Sequence, residues 1–242
     1  MTSSARRASA ADTPVYVYGP GGPAPAMHDA AKTYQAKTGY AVEVTAGPTP
    51  LWKAKALENA DVIFSGSENM MTDYTNQLSG LIAPATIVPA YIRPASILVH
   101  PGNPLKIAGL RDLFKPGVRV MIVQGAGQTG MWEDLAGRGP DALQNLRALR
   151  KNIVNYAANS AVALAAWTGA NPPDAWIIYN IWQIAHPAVA MVVPIEPEFA
   201  LYRDAGLALT TRTPANPHAK DFYNYVLSPE GAKIFAKWGW ST

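Results

Sequence analysis

Four times along this chain a short apolar run breaks at glycine or small polar residues, and a helical pattern begins at once. The corners are Gly19-Pro20-Gly21-Gly22, Ser65-Gly66-Ser67, Gly125-Ala126-Gly127-Gln128-Thr129-Gly130 and Asn159-Ser160. Around them the apolar spacing predicts strands at 15–18, 41–46, 60–64, 94–100, 118–123, 153–157, 175–179, 188–194 and 207–210. Helices are predicted over 25–38, 52–59, from near Asn69, and over 131–137, 141–150 and 161–169. The C-terminus reads as helical from 219 to 238. Strands alternating with helices call for an α/β fold with mixed, mostly parallel sheets. With 242 residues, 49% of them hydrophobic, the chain has material for one or two ordinary domains.

The corners also carry chemistry. A helix N-terminus exposes unpaired N–H groups and about half a positive charge, which suits an anion. Serine, threonine, asparagine and glutamine add neutral donors, and glycine lets a ligand approach the backbone. One such corner is ordinary capping chemistry. Four together point to a shared anion-binding cleft, because ligands of open α/β sheets sit at the carboxyl ends of strands. Trp52, Trp132 and Tyr179 lie beside the corners, where they would wall a pocket or fill the core. Arg93, before a proline at an apparent crossing between domains, reads equally as a surface charge or as a guanidinium clamp on an anion.

Several function classes fall away. GAGQTG satisfies the G-x-G-x-x-G pattern, but the segment about 20 residues on, LRALRKNIVNYAANS, lacks the carboxylate a dinucleotide site needs. Met131-Trp132 replace the Lys-Ser/Thr of a phosphate-binding P-loop. No G-x-S-x-G elbow occurs. The chain has no cysteine, and its four histidines (His28, His100, His186, His218) lack ligand spacing, so neither a metal nor another cofactor is expected. A net charge of +3 with pI ≈ 9.0 suits small anions. Without a Lys/Arg-rich run interleaved with aromatics, nucleic acid is not an expected partner. No apolar run reaches the ~20 residues that span a bilayer. Residues 1–12, MTSSARRASAAD, have two arginines and an Ala-Ser-Ala but no apolar segment between them, so they read as a disordered leader or an expression remnant, not as a working export signal.

The stretches YGPGGPAPAMHDAAKTYQAKTG, AGPTPLWKAKALENADVIFSGSENMMTDY, RPASILVHPGNP and GAGQTGMWED together resemble the AcfC (accessory colonisation factor C) group of periplasmic solute-binding proteins. SPEGAKIFAKWGW fits the terminal helix of the wider family. That group is related to the molybdate- and sulfate-binding components of ABC importers. The resemblance implies a type II periplasmic binding fold, with lobe 1 formed by 13–92 plus 205–242 and lobe 2 by 93–204. It places ligand contacts at Gly21, Gly22, Ser65, Ser67, Gln128, Thr129, Gly130, Asn159, Ser160 and Tyr179. It implies a periplasmic location, an ABC importer membrane component as partner, and a homodimer such as antigenic relatives form.

The leading expectation is a non-enzymatic protein that captures a small anion between its lobes. Arg93, Trp132 and Tyr179 would favour an organic phosphate or carboxylate over a bare oxyanion. The alternative is a colonisation-related adhesin or sensor with a vestigial site. An enzyme would need Glu68, Glu133 or Asp134 to act as a base in the pocket.

Overall fold

The computed structural model describes residues 13–242, so the expectation for residues 1–12 lies outside them. In chain order the elements are β1 (Val15–Gly19), α1 (Ala24–Thr38), β2 (Val42–Ala46), α2 (Thr49–Asn59), β3 (Val62–Phe64) and α3 (Glu68–Gln77). Then come β4 (Val88–Val99), β5 (Val120–Val123), α4 (Met131–Arg138), α5 (Ala142–Asn152), β6 (Ile153–Ala157) and α6 (Ser160–Trp167). The chain ends with β7 (Ala175–Tyr179), α7 (Ile181–Ala185), β8 (Met191–Pro194), β9 (Tyr202–Leu209), α8 (Pro217–Val226) and α9 (Pro229–Lys237). Two compact units result. The first holds the described residues up to Tyr91, Ala205–Lys237 and Thr242; the second holds Ile92–Asp204 and Trp238–Ser241. Strands β4 and β9 carry the chain from one to the other.

In the first unit β2, β1 and β3 run parallel in that spatial order, and β9 closes on β3 antiparallel, pairing Val62 with Leu209 and Phe64 with Leu207. Parallel strands covered on both faces become continuous apolar runs, and β3, VIF, is wholly buried. One face packs Tyr18, Ile63 and Ala208 under Trp52, Met71 and Tyr74 from α2 and α3. Each fully buried side chain of this size contributes roughly 1.5–3 kcal/mol. In the second unit β4 is flanked by antiparallel β7 and β8, while β7, β5 and β6 run parallel. Its core includes Leu98, Met121, Trp167, Trp176 and Ile178.

Several boundaries differ from the sequence expectation. Strand β4 starts at Val88 instead of Pro94, because Pro89 and Pro94 mask the strand pattern. Helix α2 starts at Thr49, with a proline in its first turn, where a missing N–H costs nothing. The stretch 219–238 is two helices, α8 and α9. Pro229 opens the second and disfavours helical backbone at Ser228. Helix α7 has no counterpart in the expectation, since its five residues are too few to show a period. The resemblance assigns the whole C-terminus to the first lobe. Residues 238–241 instead lie in the second unit, where Ser241 pairs with Ile92 and Asn180 donates to the Gly239 carbonyl.

Two tyrosines of the first unit hold their phenols inside. Tyr74 shares a hydrogen bond with Thr49, and Tyr91 donates to the Val226 carbonyl. Burial pushes both pKa values up to about 12. The folded chain therefore keeps protons that the unfolded chain releases above pH ~10. Their contribution to stability is complete below about pH 10 and lost between about 10 and 12. Titration by ionised-tyrosine absorbance is expected to show these two ionising only in that upper window, together with unfolding.

Candidate functional site

Parallel neighbours place their carboxyl ends on the same side, so the corners group by unit. In the second unit the corners after β5, β6 and β7 meet. The Gln128 amide donates to Ser160 Oγ at 2.8 Å, and the Tyr179 hydroxyl donates to the Gly127 carbonyl at 2.6 Å. Asn159 Oδ1 accepts from the Val162 N–H at 3.0 Å and caps α6. Gln128 is buried, Ser160 and Asn159 are half-buried, and Thr129 is exposed. Because Ser160 Oγ accepts from the amide, its own proton stays directed elsewhere as a donor. The Gln128 Oε1 atom is buried and accepts no hydrogen bond from the described residues. Gly130, in the left-handed region at φ 73°, starts α4.

Arg93 resolves one open alternative. It is 2% exposed, so it is not a surface charge. Its guanidinium carbon lies 3.7 Å from the Tyr179 ring centre and 4.5 Å from that of Trp240, and Nη1 donates to the Asp204 carbonyl at 2.6 Å. Burial lowers its pKa to about 10, against the raising effects of Tyr179 and Asp204. Tyr179, 1% exposed, is pushed up by burial and pulled back by Arg93. Trp132 is buried on the inner face of α4 with Met131, Leu135 and Ala136. Asp134, weighed as a possible base, pairs with Arg203, while Glu68 is exposed at the start of α3. Sequence reasoning missed Asp204 and Trp240. Trp240 sits in KWGW, where it reads as one more core aromatic, and Asp204 lies in the return crossing, where no motif marks it.

In the first unit the corners after β1, β2 and β3 share a side. Ser67 Oγ caps α3 by accepting from the Met70 N–H at 3.2 Å. Ser65 is fully buried, and its Oγ accepts from the Gly206 N–H at 3.2 Å. Helix α1 begins after Gly21 and Gly22 with no side-chain cap. Trp52 is core, its indole N–H donating to the Gly47 carbonyl. Among the described residues no group of three or more His, Asp or Glu is placed to hold a metal ion, and no helix is long and apolar enough to cross a membrane.

A family model described as bacterial extracellular solute-binding protein matches residues 15–241. No curated protein matches the chain. Among solved structures, Peb3 from Campylobacter jejuni is 37% identical, with a TM-score of 0.87 over 94% of this chain and 99% of that one. The L-phospholactate-bound form of PEB3 is 36% identical, with a TM-score of 0.88 over the same shares. These proteins are AcfC-like, as the quoted stretches imply. The periplasmic molybdate-binding protein of Azotobacter vinelandii is 17% identical, with a TM-score of 0.71 over 94% of this chain and 99% of that one, and shares the fold. The architecture is the mixed α/β one of periplasmic binding proteins.

The glycines of the corners divide by their surroundings. A β-carbon on Gly19 would lie 2.5 Å from the Phe64 carbonyl oxygen, and one on Gly125 would lie 2.5 Å from that of Ala158. One on Gly21 would meet nothing within 4 Å. Gly19→Ala and Gly125→Ala are therefore expected to lose about 1–3 kcal/mol in urea unfolding. Gly21→Ala is expected to stay within about 0.5 kcal/mol.

Proposed function

The chain belongs to the bacterial extracellular solute-binding proteins, and from that premise we propose that it captures a small organic anion in the periplasm for delivery to the membrane component of an ABC-type importer. The observation that carries the reading is the meeting of three corners in the second unit through Gln128, Ser160, Tyr179 and Gly127. That arrangement gathers neutral donors around helix starts, where an oxyanion is stabilised without a paired salt bridge. The L-phospholactate-bound relative supports a phosphorylated or carboxylated solute. The buried acceptor Gln128 Oε1 supports a solute that also brings a hydrogen-bond donor, which sulfate and molybdate lack. Binding without catalysis agrees with the engagement of Asp134 by Arg203.

Calorimetric titration with L-phospholactate, citrate, a phosphoglycerate, sulfate and molybdate tests the reading. Saturable binding of an organic anion is expected, and tight binding of the inorganic ions alone would refute it. Removing a donor to a charged ligand costs about 1.5–3 kcal/mol. Ser160→Ala is accordingly expected to weaken the organic anion about tenfold or more while the melting temperature barely moves. Unchanged affinity would move the site elsewhere. Pairing of two chains belongs to the same proposal, and light scattering is expected to report twice the 25.9 kDa of one chain.

A further inference from the structure

Strand β6 ends the sheet of the second unit, pairing among the described strands with β5 alone. The Gln124 N–H donates to the Ala157 carbonyl at 2.8 Å. The pairing is irregular between Ile153 and Asn155, where β6 carries one residue more than β5; past that point, by alternation, the backbone groups of Asn155 and Ala157 face β5 and those of Tyr156 face the open edge. The side chains alternate too. Ala157 packs with Ala163 and Trp167 of α6 on one face of the sheet. Tyr156 lies on the other, 43% exposed, with the Arg150 guanidinium carbon 5.3 Å from its ring centre, and Val154, at the irregularity, is 52% exposed. Helix α5 runs beside them. Its Leu143, 59% exposed, shares a face with Arg147, Arg150 and Lys151 by their three- and four-residue spacing. None of the three cations takes part in an ion pair among the described residues.

We infer that the free edge of β6 and the adjoining face of α5 form a docking surface for an extended, acidic segment of a partner protein, which adds a strand to β6. An open edge supplies main-chain hydrogen bonds to such a segment, and the exposed Val154 and Tyr156 take its apolar side chains. Arg147, Arg150 and Lys151 set the sign of its charge. Charged residues, short strands and bulges guard edges against chance pairing, and β6 is short and irregular at its start, yet it leaves Val154 and Tyr156 exposed. Here the strand carries valine and tyrosine, and the cations stand on the helix above. A second copy of this chain is a poor occupant. Antiparallel pairing of two β6 edges brings both α5 helices to one side and sets their cations against each other.

The test uses the full chain and a fluorescent, end-capped peptide of alternating glutamate and valine, read by anisotropy. Three comparisons accompany it: the same peptide with lysine for glutamate, the acidic peptide N-methylated at alternate residues, and the protein carrying Arg147→Glu, Arg150→Glu and Lys151→Glu. Saturable binding is expected for the acidic peptide, falling about tenfold or more in each comparison. The two peptide comparisons need no variant, so the outcome does not depend on whether the triple substitution folds. No binding, equal binding of the lysine peptide, or indifference to N-methylation would overturn the proposal. So would preferential uptake of the protein by phosphatidylglycerol vesicles, which would assign the surface to a membrane. Concentration-dependent self-association that the triple substitution abolishes would assign it to a second copy and overturn it too.

Discussion

A positive charge held out of water organises the second unit. The Arg93 guanidinium cannot be buried at 2% exposure without partners, because desolvating a cation costs several kcal/mol. Two aromatic faces and a backbone carbonyl supply them. Tyr179 brings in the end of β7, Trp240 the last residues of the chain, and Asp204 the crossing strand β9. Tyr179 then reaches past Arg93 to the Gly127 carbonyl. One cation thus holds the geometry of the corner where Gln128 and Ser160 sit. Cation–π contacts in a desolvated setting reach about 2 kcal/mol each, so the set is worth more as support than any surface ion pair here.

The glycines that open this chain to a ligand reading turn out to serve two needs. Gly19 and Gly125 are required because neighbouring carbonyls occupy the space a β-carbon would need. They let adjacent corners nest, and nesting sets the donors side by side. Gly21 faces open space, so packing does not account for it. The serines divide in the same way. Ser65 is committed to the strand beside it, whereas Ser67 and Asn159 cap helices as their position demands.

Periodicity made the α/β class legible, because buried parallel strands such as AWIIY at 175–179 are unbroken apolar runs and the helices between them carry glycine or small polar starts. The corners were legible for the same reason. Helix α7 was not, since a single turn and a half shows no repeat. The start of β4 hid behind prolines. The surroundings of Arg93 could not be read locally at all: Asp204 is 111 residues away and Trp240 further still, and only the fold brings them together. Long-range polar contacts leave no spacing to recognise.

The returning chain has a consequence for the order in which this protein takes shape. As the chain emerges from the ribosome, β1, β2 and β3 come first, yet the strand that covers the flank of β3 begins past residue 200, and α8, which packs on β1, comes later still. The second unit, though contiguous over most of its length, waits for Trp238–Ser241 before Arg93 is enclosed. Neither half is complete until the last few residues are free. Such distant closure folds slowly, and it leaves the chain open, and threadable through a narrow passage, until its final turn.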